Sequence, residues 1–139
     1  MKIRLDDVMQ SFSFPFEAAY YYYIPLETVL MFSGGMIYGK AVNGISSEED
    51  VRKHADSFIK LPQIGEEGRR EVMRGFLDAV PDSELKKRMI SAVSAEGTAE
   101  FENVLREERL LIAWYNYRDD VYSEFARRWC EANGLELIR

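Results

Sequence analysis

The sequence predicts an α+β protein, with an N-terminal antiparallel β-hairpin or three-stranded meander followed by a four-to-five-helix C-terminal part. Two observations carry this reading. The first third is rich in aromatic and β-branched residues interrupted by turn signals, and from Ser46 onward the apolar residues recur at helical spacing. No linker, low-complexity tract or repeat divides the sequence. Residues 1–139 therefore read as a single domain, β-rich over about 1–44 and helical over about 45–139.

The elements follow in order. Leu5 to Phe12 allows a short helix. Glu17 to Ile24 (EAAYYYYI) and Thr28 to Ser33 (TVLMFS) read as two strands joined by Pro25-Leu26-Glu27. Gly34-Gly35 accepts positive φ and predicts a second tight turn, after which Met36 to Val42 can form a third strand ended by Asn43-Gly44. Ser46-Ser47-Glu48-Glu49 fits a capping box, and Val51, Ala55 and Phe58 continue at helical spacing. Phe58 to Pro62 reads as extended or irregular, because Pro62 biases Leu61 away from helix. A second helix is predicted from about Glu66 to Val80, with Val72, Met73, Phe76, Leu77 and Val80 inward, and Pro81-Asp82 breaks it. A third spans Ser83 to Ala95 with Leu85, Met89, Ala92 and Val93 inward. Gly97-Thr98 separates it from a fourth carrying Phe101, Val104 and Leu105. The last runs from about Ile112 to Asn133 and stops at Gly134.

Composition excludes several classes. A hydrophobic fraction of 47% and an aromatic fraction of 13% are those of a packed chain, not a disordered one. The net charge of −6 argues against a nucleic-acid face, which needs clustered Lys and Arg; Arg69-Arg70, Lys86-Lys87-Arg88 and Arg127-Arg128 each sit beside acids. One cysteine, Cys130, permits neither an internal disulfide nor a CxxC motif. The first residues, MKIRLDDVMQSF, carry charges where a signal peptide needs an apolar run, and no apolar stretch approaches the ~20 residues of a membrane span. We expect a protein of the reducing cytoplasm, with no membrane and no nucleic acid among its partners.

The last helix, AWYNYRDDVYSEFARRWCEANG, contains the first candidate site. At ~100° per residue, Trp114, Tyr115, Tyr117, Val121, Tyr122, Phe125, Ala126, Trp129 and Ala132 share one broad apolar arc, and Arg118 projects into it between Phe125 and Trp129. A buried arginine needs an acceptor. It can pair with Glu100 or Glu102 of the preceding helix or with helix C-terminal carbonyls, or pack its stem on aromatics with its head in water. Alternatively, Arg118 grips a carboxylate or phosphate in a pocket walled by Trp114 and Tyr115. The run Tyr20, Tyr21, Tyr22, Tyr23 is the second candidate. Alternate residues of a strand face opposite ways, so one pair can pack inward while the other forms an aromatic interaction surface. If that strand is also an edge, it can pair with another chain, including a second copy.

Other reactive residues have little local support. His54 stands four residues after Asp50 and has no second His or Cys nearby, so a helix-surface residue is the simpler reading than a metal ligand or general base. Cys130 has no His in its helix and reads as packed. No P-loop, GxGxxG, HExxH or GxSxG is present, and no carboxylate pair is marked out by spacing. We expect no catalytic residue, metal or cofactor.

Four motifs occur in order: DSFIKLP at 56–62, VMRGFLDAV at 72–80, AEFENVL at 99–105 and AWYNYRDDVYSEFARRWCEANGLEL at 113–137. Over roughly the last 85 residues the chain resembles uncharacterised protein family 158 of the UPF series, a set of small bacterial proteins. The resemblance implies a fold and a bacterial cytoplasmic setting and no reaction. Where that family tends to carry Gly-Ala-Phe-Arg-Arg-Phe-Lys-Asp, this chain has Glu96 to Asn103, keeping the last aromatic as Phe101 and placing acids where the basic residues stand.

The function expected from the sequence is that of a non-enzymatic cytoplasmic protein-interaction or adaptor domain. The alternative is a small-molecule or anion-binding module around Arg118, Trp114 and Tyr115.

Overall fold

The computed structural model describes residues 1–13, 18–81, 83–93 and 99–139. In chain order the elements are β1 (Lys2–Arg4), α1 (Leu5–Ser13), β2 (Ala18–Tyr23), β3 (Thr28–Ser33), β4 (Met36–Ile37), α2 (Glu48–Lys53), β5 (Phe58–Lys60), α3 (Gly65–Leu77), α4 (Ser83–Val93), α5 (Ala99–Glu107), α6 (Leu111–Ala132) and β6 (Glu136–Ile138). The fold is α+β, with an antiparallel sheet formed early in the chain and most helices after it. The expected strand start at Glu17, the helix end at Ala95, and the breaks at Asp82 and Gly97-Thr98 lie outside the described residues. Among the described residues no helix is long and apolar enough to cross a membrane.

The described chain groups into two compact units, Met1–Gln63 with Phe125–Arg139, and Ile64–Glu124. In the first, the antiparallel sheet runs β4-β3-β2-β5, and β1 and β6 form a separate parallel pair. The turn between β3 and β4 is Gly34-Gly35 with both φ positive, as two-residue hairpins require. Register puts Tyr21, Tyr23, Leu30, Phe32 and Phe58 on one face, where they pack with Ile45 and Val51. Tyr20 and Tyr22 belong to the other face and are equally buried. β2 is thus covered on both faces.

Three departures from the sequence reading stand out, and the strands β5 and β6 among them arise from long-range pairing that local patterning does not encode. Phe58 does not continue the helix of Val51. That helix ends at Lys53, a 3-10 turn follows at Ala55–Ser57, and Phe58 opens β5 beside Tyr23, with ring centroids 4.9 Å apart. The N-cap is Ser47 rather than Ser46: its Oγ accepts the Asp50 N–H, and the Asp50 carboxylate returns to the Ser47 N–H. β4 stops at Ile37, and β6 adds a strand after α6.

The second unit is helical. The predicted inward residues Val72, Met73, Phe76, Leu77 and Val80 are all buried, as are Phe101, Val104 and Leu105. Trp114 is held edge-on by Phe76 (5.5 Å between centroids) and Phe101 (5.0 Å). α4 packs on α3 and α5, and Arg88 of α4 reaches Glu107 and Glu108 at 3.0 and 2.9 Å. After α5, Arg109 takes the left-handed conformation at φ 60, and the Leu110 N–H bonds back to the Leu105 carbonyl. The same closure ends α6, where Gly134 has φ 68 and the Leu135 N–H reaches the Cys130 carbonyl.

Candidate functional site

Arg118 is not buried in a dry arc. Its side chain keeps 30% exposure, and its Nε and one terminal nitrogen donate to one Asp119 carboxylate oxygen at 3.2 and 3.0 Å. The guanidinium carbon lies 4.8 Å from the centre of the Tyr115 ring, three residues back on α6. The acceptor is therefore the next residue in sequence and not Glu100 or Glu102. Helical-wheel reasoning passes over such a partner because side chains at i and i+1 do not face each other; here the long arginine stem turns back to reach it.

The three residues expected to form the anion site part company. Arg118 and Tyr115 are together and half-buried, whereas Trp114 is buried in the Phe76–Phe101 aromatic cluster. Two residues that the sequence reading did not single out stand near Arg118. Burial pushes the Tyr122 hydroxyl above its ordinary pKa, the charges of Arg118 and Arg69 work against that rise, and Asp119 adds to it. Tyr122 at i+4 from Arg118 was a readable signal. Arg69 belongs to another helix and was not.

The tyrosine run is not an exposed surface. Tyr20, Tyr22 and Tyr23 are buried and Tyr21 is half-buried. β2 is paired on both sides, by β3 and β5, so it offers no edge to a second chain. The reason is the two-sided cover: each face of β2 is under other elements, and three of the hydroxyls find acceptors or donors. Tyr21 donates to Glu48 at 2.8 Å, Tyr22 donates to the Lys2 carbonyl at 2.7 Å, and Tyr23 accepts from Asn43. Burial, with Glu48 as hydrogen-bond partner and neighbouring charge, pushes Tyr21 up to about 12. The buried Tyr20 hydroxyl has no hydrogen-bond partner among the described residues.

The side chains that do stand out lie one strand further along. Met36 of β4 is 56% exposed and Tyr38 is 76% exposed. The Ser33–Met36 pairing and strand alternation put Met36 on the same face as the half-buried Met31 and Val29. The Tyr38 N–H bonds to the Met31 carbonyl at 2.8 Å, which brings it into line with this row. The sequence reading took Met36 as an ordinary third-strand residue and had no signal for its exposure.

His54 is exposed and caps the C-terminus of α2, its N–H bonding to Asp50 and Val51 carbonyls. Asp50 is engaged elsewhere, by the Ser46 N–H (2.9 Å), the Ser46 hydroxyl (3.1 Å) and the Ser47 N–H (3.1 Å), which hold its carboxyl below the usual range. Cys130 is buried, and burial raises its thiol, which disfavours the thiolate a nucleophile needs. No family model matches this chain, and neither do any curated proteins or solved structures.

Proposed function

We propose that this protein is a non-enzymatic protein-interaction domain whose contact surface is the apolar row Val29, Met31, Met36 and Tyr38. The observation that supports it is the exposure of Met36 in β4 and of Tyr38 just after it, in line with the half-buried Val29 and Met31 of β3. Exposed aromatic and methionine side chains are enriched at interfaces. Membership of uncharacterised protein family 158 of the UPF series, and a bacterial cytoplasmic setting, belong to the same proposal and rest on the order of the four motifs.

The test is affinity capture with wild type and the Met36→Ser/Tyr38→Ser variant, matched for melting temperature. A protein retained by wild type and lost from the variant is the expected result. Equal retention by both would overturn this placement of the surface.

A second reading, an anion-binding module at Arg118, is favoured by one observation: its half-exposed guanidinium engages a single carboxylate oxygen while stacked on Tyr115. Thermal shift with carboxylates and phosphates, repeated on Arg118→Met, decides it.

A further inference from the structure

We propose that the partner presents an extended, acidic peptide segment, which adds as a short strand to β3 at Val29, in the cleft between β3 and β1. The inference rests on the interaction reading above and names its partner chemistry.

β3 runs from Thr28 to Ser33, but β4 pairs only with Phe32 and Ser33. Ser33 faces β4 across the tight turn, so alternation turns Met31 and Val29 to the same side. The Met31 carbonyl is taken by the Tyr38 N–H. Beyond it, the Val29 N–H and C=O point to that side with no partner among the described residues. The other margin of β4 is closed, since the Ile37 N–H bonds to Ser46 and the Glu48 N–H to Gly35. One residue of open ladder therefore remains, and unpaired strand edges bind extended chains.

That opening lies in a cleft of about 400 Å³ lined by Lys2, Arg4, Asp7, Glu27, Val29 and Ile138 among others. The size falls within the roughly 300–1,000 Å³ of ligand-binding clefts. On the β1 wall, Ile3 faces the core, and Lys2 and Arg4 share the exposed side. The outward main chain of Lys2 is already satisfied: its N–H donates to the Glu27 carboxylate at 3.3 Å, and its carbonyl accepts the Tyr22 hydroxyl. The wall is thus fixed and does not compete for a peptide. Glu27 accepts that bond, and its left-handed backbone, φ 46, closes the turn Ile24–Leu26 with its N–H on the Ile24 carbonyl. Asp7 lies in the first turn of α1, whose N–H groups favour its charge. The Lys2 ammonium and Arg4 guanidinium have no carboxylate within ion-pair distance among the described residues. An incoming strand with acidic side chains satisfies these two cations while its main chain pairs with Val29.

The experiment uses isotopically labelled full chain and two acetylated, amidated hexapeptides, one alternating valine with glutamate and one alternating valine with lysine. Amide shifts and hydrogen exchange are followed to millimolar peptide. The glutamate peptide is expected to shift Lys2, Arg4 and Val29 and to slow exchange at the Val29 amide. The lysine peptide is expected to bind about ten-fold more weakly or worse, a difference on the order of 1.4 kcal/mol. Val29→Pro, which deletes only an outward N–H, removes binding, and Lys2→Ser/Arg4→Ser abolishes the preference between peptides even if the proline variant fails to fold. Absence of binding by either peptide, or equal binding by both, overturns the proposal. Shifts confined to Met36 and Tyr38 also overturn it while leaving the interaction reading standing.

Discussion

The four consecutive tyrosines show how far one residue type can differ by position. Tyr22 closes the outer side of β1 through the Lys2 carbonyl, whereas the equally buried Tyr20 hydroxyl meets no described partner. Removing the hydroxyl of Tyr22 forfeits a bond, and removing that of Tyr20 relieves a desolvated group. We expect Tyr22→Phe to cost about 1 kcal/mol and Tyr20→Phe to be neutral or stabilising, read from urea midpoints. Tyr21 supplies a pH signature. Its pKa stands at about 12 against an ordinary 10.0, so the neutral hydroxyl is favoured in the folded state. The resulting stability is full below pH 10 and is lost as pH rises from there through about 12. Tyr21→Phe should flatten the alkaline fall in stability relative to wild type; an unchanged slope would show that the Glu48 contact does not hold the proton. At this scale the sequence marked the tyrosines as unusual but could not assign their sides, since both faces of β2 are covered.

Elements with their own period were legible. The α3 and α5 apolar stripes, the β3 span and the Gly134 stop all follow from spacing and turn chemistry. Of the three-residue strands only β5 was legible in part, inside the extended or irregular stretch Phe58 to Pro62; β1 and β6 are too short to show alternation and exist through partners far along the chain. The α3–α6 contact has a similar hidden determinant at Gly75. A Cβ built there would lie 2.5 Å from the Tyr117 hydroxyl and 3.6 Å from the ring carbon that bears it. Alanine in a helix gains up to about 1 kcal/mol over glycine, so the two effects oppose. Gly75→Ala should destabilise wild type and stabilise the Tyr117→Phe background, where the clashing oxygen is gone. The same gain in both backgrounds would mean that Tyr117 moves aside freely.

For the whole molecule, charge separates the two units. Residues 64–124 carry nine basic and fourteen acidic side chains, and the rest of the chain nine and ten. Neither unit carries an excess of basic side chains. The near-neutral unit is the one with Lys2 and Arg4, whose cations meet no carboxylate among the described residues, so their attraction for acidic groups is not masked by a strongly negative surround. The candidate site was only partly visible from the sequence: Arg118 and Tyr115 do meet, yet the exposed row at Met36 and Tyr38 depends on where β4 ends, which composition does not fix. The peptide proposal requires that β3 be open at Val29. Amide hydrogen exchange of the free protein measures this directly. The account predicts slow exchange at Leu30, whose N–H lies in the β2 ladder, and much faster exchange at its neighbour Val29. Equal protection of the two amides would mean that the edge is already covered, and would contradict the account.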